Sequence, residues 1–130
     1  MESIKKGTKA ISVKKLQDNE KLPKEIIEIN TDEERANGIT DFSCAIFTDY
    51  SSDRYTNFKI NGEYSGRMSR YTLMMFLVYN GNGDLIDASF DEKIADDFKG
   101  KKTFSQRIQV PKDEYISKVS VRFIPDPVFL

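Results

Sequence analysis

The sequence predicts an all-β fold: an antiparallel two-sheet sandwich of about seven strands with minimal helix. Three observations carry this. Apolar and polar residues alternate over strand-length runs, with little repetition at helical spacing. Each run is bounded by a cluster of Gly, Pro, Asn, Asp or Ser, the residues that turn a chain. The 9 Phe and 6 Tyr supply more aromatic surface than a disordered chain would carry. A length of 130 residues fits one core.

The elements follow in order. Residues 1–24 carry Lys5, Lys6, Lys9, Lys14, Lys15, Lys21 and Lys24 against Glu2, Asp18 and Glu20. They read as a basic, poorly ordered terminal segment, with room for a short strand at residues 10–13. A single β-sandwich domain is expected over residues 25–130. Residues 24–29 read as a strand through Ile26, Ile27 and Ile29. Thr31-Asp32-Glu33-Glu34 has the spacing of a capping box with Thr31 at the N-cap, and Asn37-Gly38 would end the helical turn it opens.

From Ile39 onward the pattern is β. Strands are expected over residues 39–48 and 55–64, separated by the polar loop 49–53 and ended by Ser65-Gly66. Residues 70–79 are the most apolar run, and both of their faces carry apolar side chains, as in a central strand. Asn80-Gly81-Asn82-Gly83-Asp84 is a hairpin signal, because Asn and Gly tolerate positive φ. Residues 85–90 return with Ile86, Ala88 and Phe90 on one face. Residues 96–101 turn around Phe98. Residues 103–110 alternate cleanly until Pro111. Residues 115–124 alternate again, with Tyr115, Val119, Val121 and Phe123 on one face, until Pro125.

The central run and its return also resemble a known family. Phe76-Leu77-Val78-Tyr79-Asn80 followed by Gly81-Asn82-Gly83-Asp84-Leu85-Ile86 is similar to the signature of FxLYD-type bacterial β-sandwich domains. In that signature a Phe-x-Leu-Tyr-Asp run leads into a Gly hairpin. Val78 stands here for the Leu and Asn80 for the Asp. The likeness covers residues 70–124. It implies an immunoglobulin-like sandwich in a bacterial, often cell-envelope, setting, with no enzyme activity and no site residues to transfer.

Several chemistries are excluded by the residues present. The chain has no His and one Cys. A Ser or Cys nucleophile would therefore lack its usual base, and zinc or copper would lack ligands. Cys44 lies in an apolar run and reads as a buried free thiol. No phosphate-cradling Gly-rich motif is present, since Gly81-Asn82-Gly83 belongs to the hairpin. Asp49-Tyr50-Ser51-Ser52-Asp53 and Asn80/Asn82/Asp84 space oxygens as the start of a Ca²⁺ loop does. Neither has the Gly and Glu that an EF-hand needs at its sixth and twelfth places. The carboxylates Asp87, Asp91, Glu92, Asp96 and Asp97 read as a solvated edge. No enzyme activity, cofactor or metal is expected.

What remains is binding. Tyr50, Arg54, Tyr55, Arg67, Arg70 and Tyr71, with Tyr64 among them, are the residue types that dominate binding hot spots. The alternative is that such tyrosines fill the sandwich and the arginines lie at its rim. The 70–79 strand is the second candidate. If Thr72, Met74, Phe76 and Val78 face the core, then Tyr71, Leu73, Met75, Leu77 and Tyr79 need another cover. The cover would be the N-terminal segment, the Val128-Phe129-Leu130 tail or a second subunit. The expected function is a non-enzymatic interaction module that binds another protein or itself. A net charge of −1 gives no field to draw in nucleic acid. Nucleic-acid binding through the basic N-terminus is therefore the alternative, and a Ca²⁺- or carbohydrate-binding accessory role the next. No stretch is long enough to span a membrane. The sequence as written reads as cytoplasmic, or as cell envelope if a signal peptide has been removed.

Overall fold

Eight strands form two sheets that pack face to face, as a computed structural model of residues 10–68, 70–90, 94–95 and 97–125 shows. The strands are β1 (Ile11–Ser12), β2 (Ile27–Ile29), β3 (Ile39–Ser51), β4 (Tyr55–Arg67), β5 (Thr72–Asn80), β6 (Leu85–Phe90), β7 (Lys99–Pro111) and β8 (Tyr115–Pro125). The one α-helix is α1 (Thr31–Ala36). The first sheet runs β8-β5-β6, with β1 and β2 sharing the outer edge of β8. The second runs β3-β4-β7. The expected antiparallel sandwich is present, with one exception: β2 pairs parallel to β8, Ile27 opposite Val119.

Alternation builds the core. Thr72, Met74, Phe76 and Val78 of β5 are fully buried. Met74, Phe76 and Val78 meet Phe58 and Ile60 of β4, Phe104, Ile108 and Val110 of β7, and Val119, Val121 and Phe123 of β8 in one cluster. Aromatic rings fix one end of it. Phe42 stacks on Phe104 at 5.7 Å and meets Phe123 edge-on at 5.3 Å, and Tyr64 meets Phe98 edge-on at 5.4 Å.

Local details differ from the sequence reading, each for a physical reason. Asn30, not Thr31, caps α1: its Oδ1 accepts the Glu33 N–H at 3.0 Å. β4 does not stop at Ser65-Gly66 but continues to Arg67. A Cβ at Gly66 would lie 2.3 Å from the Gly38 carbonyl oxygen, so the glycine lets two backbones approach there. In β8 a register shift opposite Tyr79/Asn80 reverses the alternation, so Ile116 is buried and Tyr115 is exposed.

Residues 10–24 lie against both sheets. β1 pairs with the start of β8, and the buried Val13 follows it. The chain then crosses to β3. There the Leu22 N–H donates to the Ile46 carbonyl at 2.8 Å, and the Thr48 N–H donates to the Glu20 carbonyl at 2.9 Å. The Thr48 hydroxyl accepts the Glu20 N–H at 2.7 Å and donates to the Gln17 carbonyl. The side chain of Leu22 is buried in the core. A 3-10 turn (Lys24–Ile26) then returns the chain to β8 as β2. Residues 10–29 thus form a strap across one seam between the sheets. Lys5, Lys6 and Lys9 lie outside the described residues, as do Asp91, Glu92, Asp96 and the tail Val128-Phe129-Leu130.

Candidate interaction surface

The Tyr and Arg residues divide between two ends of the sandwich. Tyr50, Arg54 and Tyr55 lie at the β3–β4 hairpin, all exposed. Arg67 lies at the opposite end of β4, and Arg70 and Tyr71 lie just past it. The 13 residues of β4 separate the groups by roughly 40 Å at about 3.3 Å per residue. Tyr64 is in the core. At the hairpin end, Asp53, Arg54 and Tyr55 line a shallow hollow with Pro111, Lys112 and Asp113. The Lys112 N–H donates to the Arg54 carbonyl there at 2.8 Å. Acid and base are mixed in it, and no single charge dominates. Arg70 lies near α1, beside Asp32, Glu33 and Arg122.

The solvent face of the first sheet is the larger feature. Leu73, Met75, Leu77 and Tyr79 of β5 are half-buried along it. β6 widens it. Met75 lies opposite Phe90 and Leu77 opposite Ala88, so Ala88 and Phe90 share the solvent face. Phe90 is 56% exposed. The polar residues of β6 point the other way, toward β7: Asp87 accepts the Gln109 N–H at 2.7 Å, and the Ser89 hydroxyl donates to Gln106 at 2.6 Å. From Asp87 to Phe90, β6 therefore turns apolar side chains to water and polar ones to the seam, the reverse of an ordinary edge strand. Ile86, expected on one face with Ala88 and Phe90, instead packs against the core because the register shifts by one residue there. Leu85 extends the exposed surface at the hairpin end.

The β8 side of the same face is charged and held in place. The Lys118 ammonium sits 4.9 Å from the centre of the Tyr79 ring and 3.4 Å from Glu28. The Arg122 guanidinium forms a two-pronged pair with Glu33 of α1, its Nε donating at 2.8 Å. The Phe123 N–H adds a third bond to Glu33 at 3.1 Å. The Arg122 hydrogen bond holds the Glu33 carboxyl below the usual carboxylate range, against the opposing effect of burial.

The residues suspected of metal or covalent chemistry have other partners. Asn80 Oδ1 accepts the N–H groups of Asn82 and Asp84, each at 2.9 Å, which is turn chemistry. Asp49 pairs with Arg107. Among the described residues, no three acidic or thiol side chains converge as metal ligands do. Cys44 is half-buried, and burial pushes its thiol pKa up to about 11, so it is protonated at neutral pH. Among the described residues, no helix is long and apolar enough to cross a membrane.

No protein-family model, curated protein or solved structure matches the chain.

The sequence marked Leu73, Met75, Leu77 and Tyr79 as the spare face of β5. It did not mark Phe90 and Ala88 as their neighbours, because that depends on the β5–β6 register. The close of the 80–84 hairpin carries the missing signal: a one-residue shift there, with Ile86 as the extra residue, determines which face Phe90 takes.

Proposed function

We propose that this protein is a non-enzymatic interaction module that binds another polypeptide through the solvent face of β5 and β6. The observation that carries the reading is the run Leu73, Met75, Leu77, Ala88 and Phe90 on one exposed sheet face, bordered by the charged β8. An isolated exposed apolar residue is ordinary, whereas a contiguous group of this kind marks contact sites. The lack of His and the protonated Cys44 thiol support a binding role over catalysis. The resemblance of residues 70–124 to FxLYD-type domains points the same way.

A second copy of the chain is the first partner to test. Light scattering after size exclusion, at two protein and two salt concentrations, would report a mass above the 15.0 kDa monomer that survives high salt. Leu77→Glu would return it to monomer with little loss of stability, since Leu77 is half-exposed. A wild-type monomer that also fails to retain any host protein in a Leu77-dependent way would overturn the reading.

A further inference from the structure

We infer a second binding site, independent of the sheet face: a groove in the seam between β2 and β3 that accepts an extended, acidic peptide as an added strand. The groove has a volume of about 380 Å³ and is lined by Leu22, Ile27, Ile29, Phe42, Cys44 and Ala45, with Lys21 and Lys24 on its rim.

The backbone carries the argument. β3 is an edge strand, paired only with β4. Its Ile46 carbonyl and Thr48 N–H point away from β4 and bond the strap. Pairing is regular from Phe42 to Thr48, so positions of the same parity, Phe42 and Cys44, send their N–H and C=O groups to that same outer edge. The strap covers the edge only from Ile46 onward. Among the described residues nothing pairs with the outward backbone of Phe42 or Cys44.

β2 stands across the groove with a matching vacancy. The Asn30 N–H donates to the Val121 carbonyl, so in the parallel ladder positions 28 and 30 face β8 while Ile27 and Ile29 face away from it. The Ile27 N–H is used by the Lys24 carbonyl. The Ile27 carbonyl and both backbone groups of Ile29 are left toward the groove. Two strand edges with unmet donors and acceptors therefore flank one apolar cleft, the arrangement that strand addition uses.

The occupant follows from shape and charge. The open stretch of β3 spans about five residues, roughly 16 Å at about 3.3 Å each. It is bounded by the strap at one end and the Gly38 turn at the other. A single extended chain fits that window. The β3 edge of a second copy does not, because its own strap blocks the approach. Lys21 and Lys24 are exposed and make no ion pair with any described residue, so they favour carboxylates at their end of the groove.

The test uses the full chain and three fluorescein-labelled octapeptides. One alternates Val and Thr and ends in two Glu, one ends instead in two Lys, and one carries Pro at alternate positions and so lacks half its backbone donors. The acidic peptide should bind. The Pro peptide should not, and the Lys-ended peptide should bind more weakly than the acidic one. Lys21→Glu/Lys24→Glu, a change confined to exposed positions, should weaken the acidic peptide roughly tenfold. Saturation with the acidic peptide should slow amide exchange at Phe42 and Cys44 on the order of tenfold or more. The inference is overturned by absence of binding, by equal affinity for all three peptides, or by binding that leaves the Phe42 and Cys44 exchange unchanged. Slow exchange at those amides before any peptide is added would overturn it too. If that protection grows with protein concentration, a second copy fills the groove; if not, the chain's own residues do.

Discussion

The two seams of the sandwich are closed by different means. At the β6–β7 seam the work falls to side chains, with Asp87 reaching the Gln109 N–H and Ser89 reaching Gln106. Farther along, the chain connecting β6 to β7 is tied by backbone bonds to β5, Ile94 with Thr72 in both directions, and to the end of β4, the Met68 N–H to the Phe98 carbonyl. At the β8–β3 seam a whole segment of chain does the work, pairing with β8, then β3, then β8 again. That segment brings its own core residues, Val13 and Leu22. Side-chain bonds at a wet edge are readily replaced by water. A strap that buries apolar side chains is not, so the two seams should differ widely in what they contribute to stability.

The largest effect should come from breaking the strap. Leu22→Ala removes a fully buried side chain and should cost about 3 kcal/mol, read as a lower midpoint in denaturant. A change below about 1 kcal/mol would mean that the strap is only loosely docked. Glu33→Gln should come next, because it cuts the tie between α1 and β8. The pair is partly exposed, so the expected loss is about 1 kcal/mol at neutral pH. Its pH dependence sharpens the test. The folded-state pKa of Glu33 lies below its ordinary value of 4.5. Its contribution is therefore present above that value and is lost as pH falls through the folded pKa. Wild type and Glu33→Gln should converge in stability in acid; a gap that stays constant to pH 3 would show that the carboxylate charge is not what holds α1. The smallest effect should come from Asp87→Ala at the other seam, about 0.5 kcal/mol, since water takes over the Gln109 N–H. A loss as large as that of Leu22→Ala would erase the distinction between the seams.

What the sequence made legible follows the range of the interactions. β5, the 80–84 hairpin and β7 are readable because alternation and turn chemistry act between neighbours. The hairpin is held by Asn80 through residues only two and four places away. Alternation alone puts Tyr115 on one face with Val119, Val121 and Phe123 because it assumes unbroken register, and a bulge breaks it. Residues 10–24 carry no periodic signal because their buried apolar residues are single anchors, Val13 in a 3-10 turn and Leu22 beside the Lys21–Phe47 bridge. Tyr50 and Arg70 looked like members of one cluster because both flank β4 in sequence, yet the strand holds its two ends apart. The groove at Phe42 and Cys44 was out of reach, since it is defined by which edges remain unpaired, and that is known only once every strand has its partner.

The pairing of β2 with β8 also bears on the order of assembly. Glu33 and Arg122, which lock this region, are 89 residues apart in sequence. Contacts of such separation form slowly, because a long loop must close before they repay it. The strap is synthesised well before β8, yet it has nowhere on the first sheet to dock until β8 emerges. The sandwich can gather its hairpins as they are made, while the seam at β2 waits for the rest of the chain and should be among the last parts to become native.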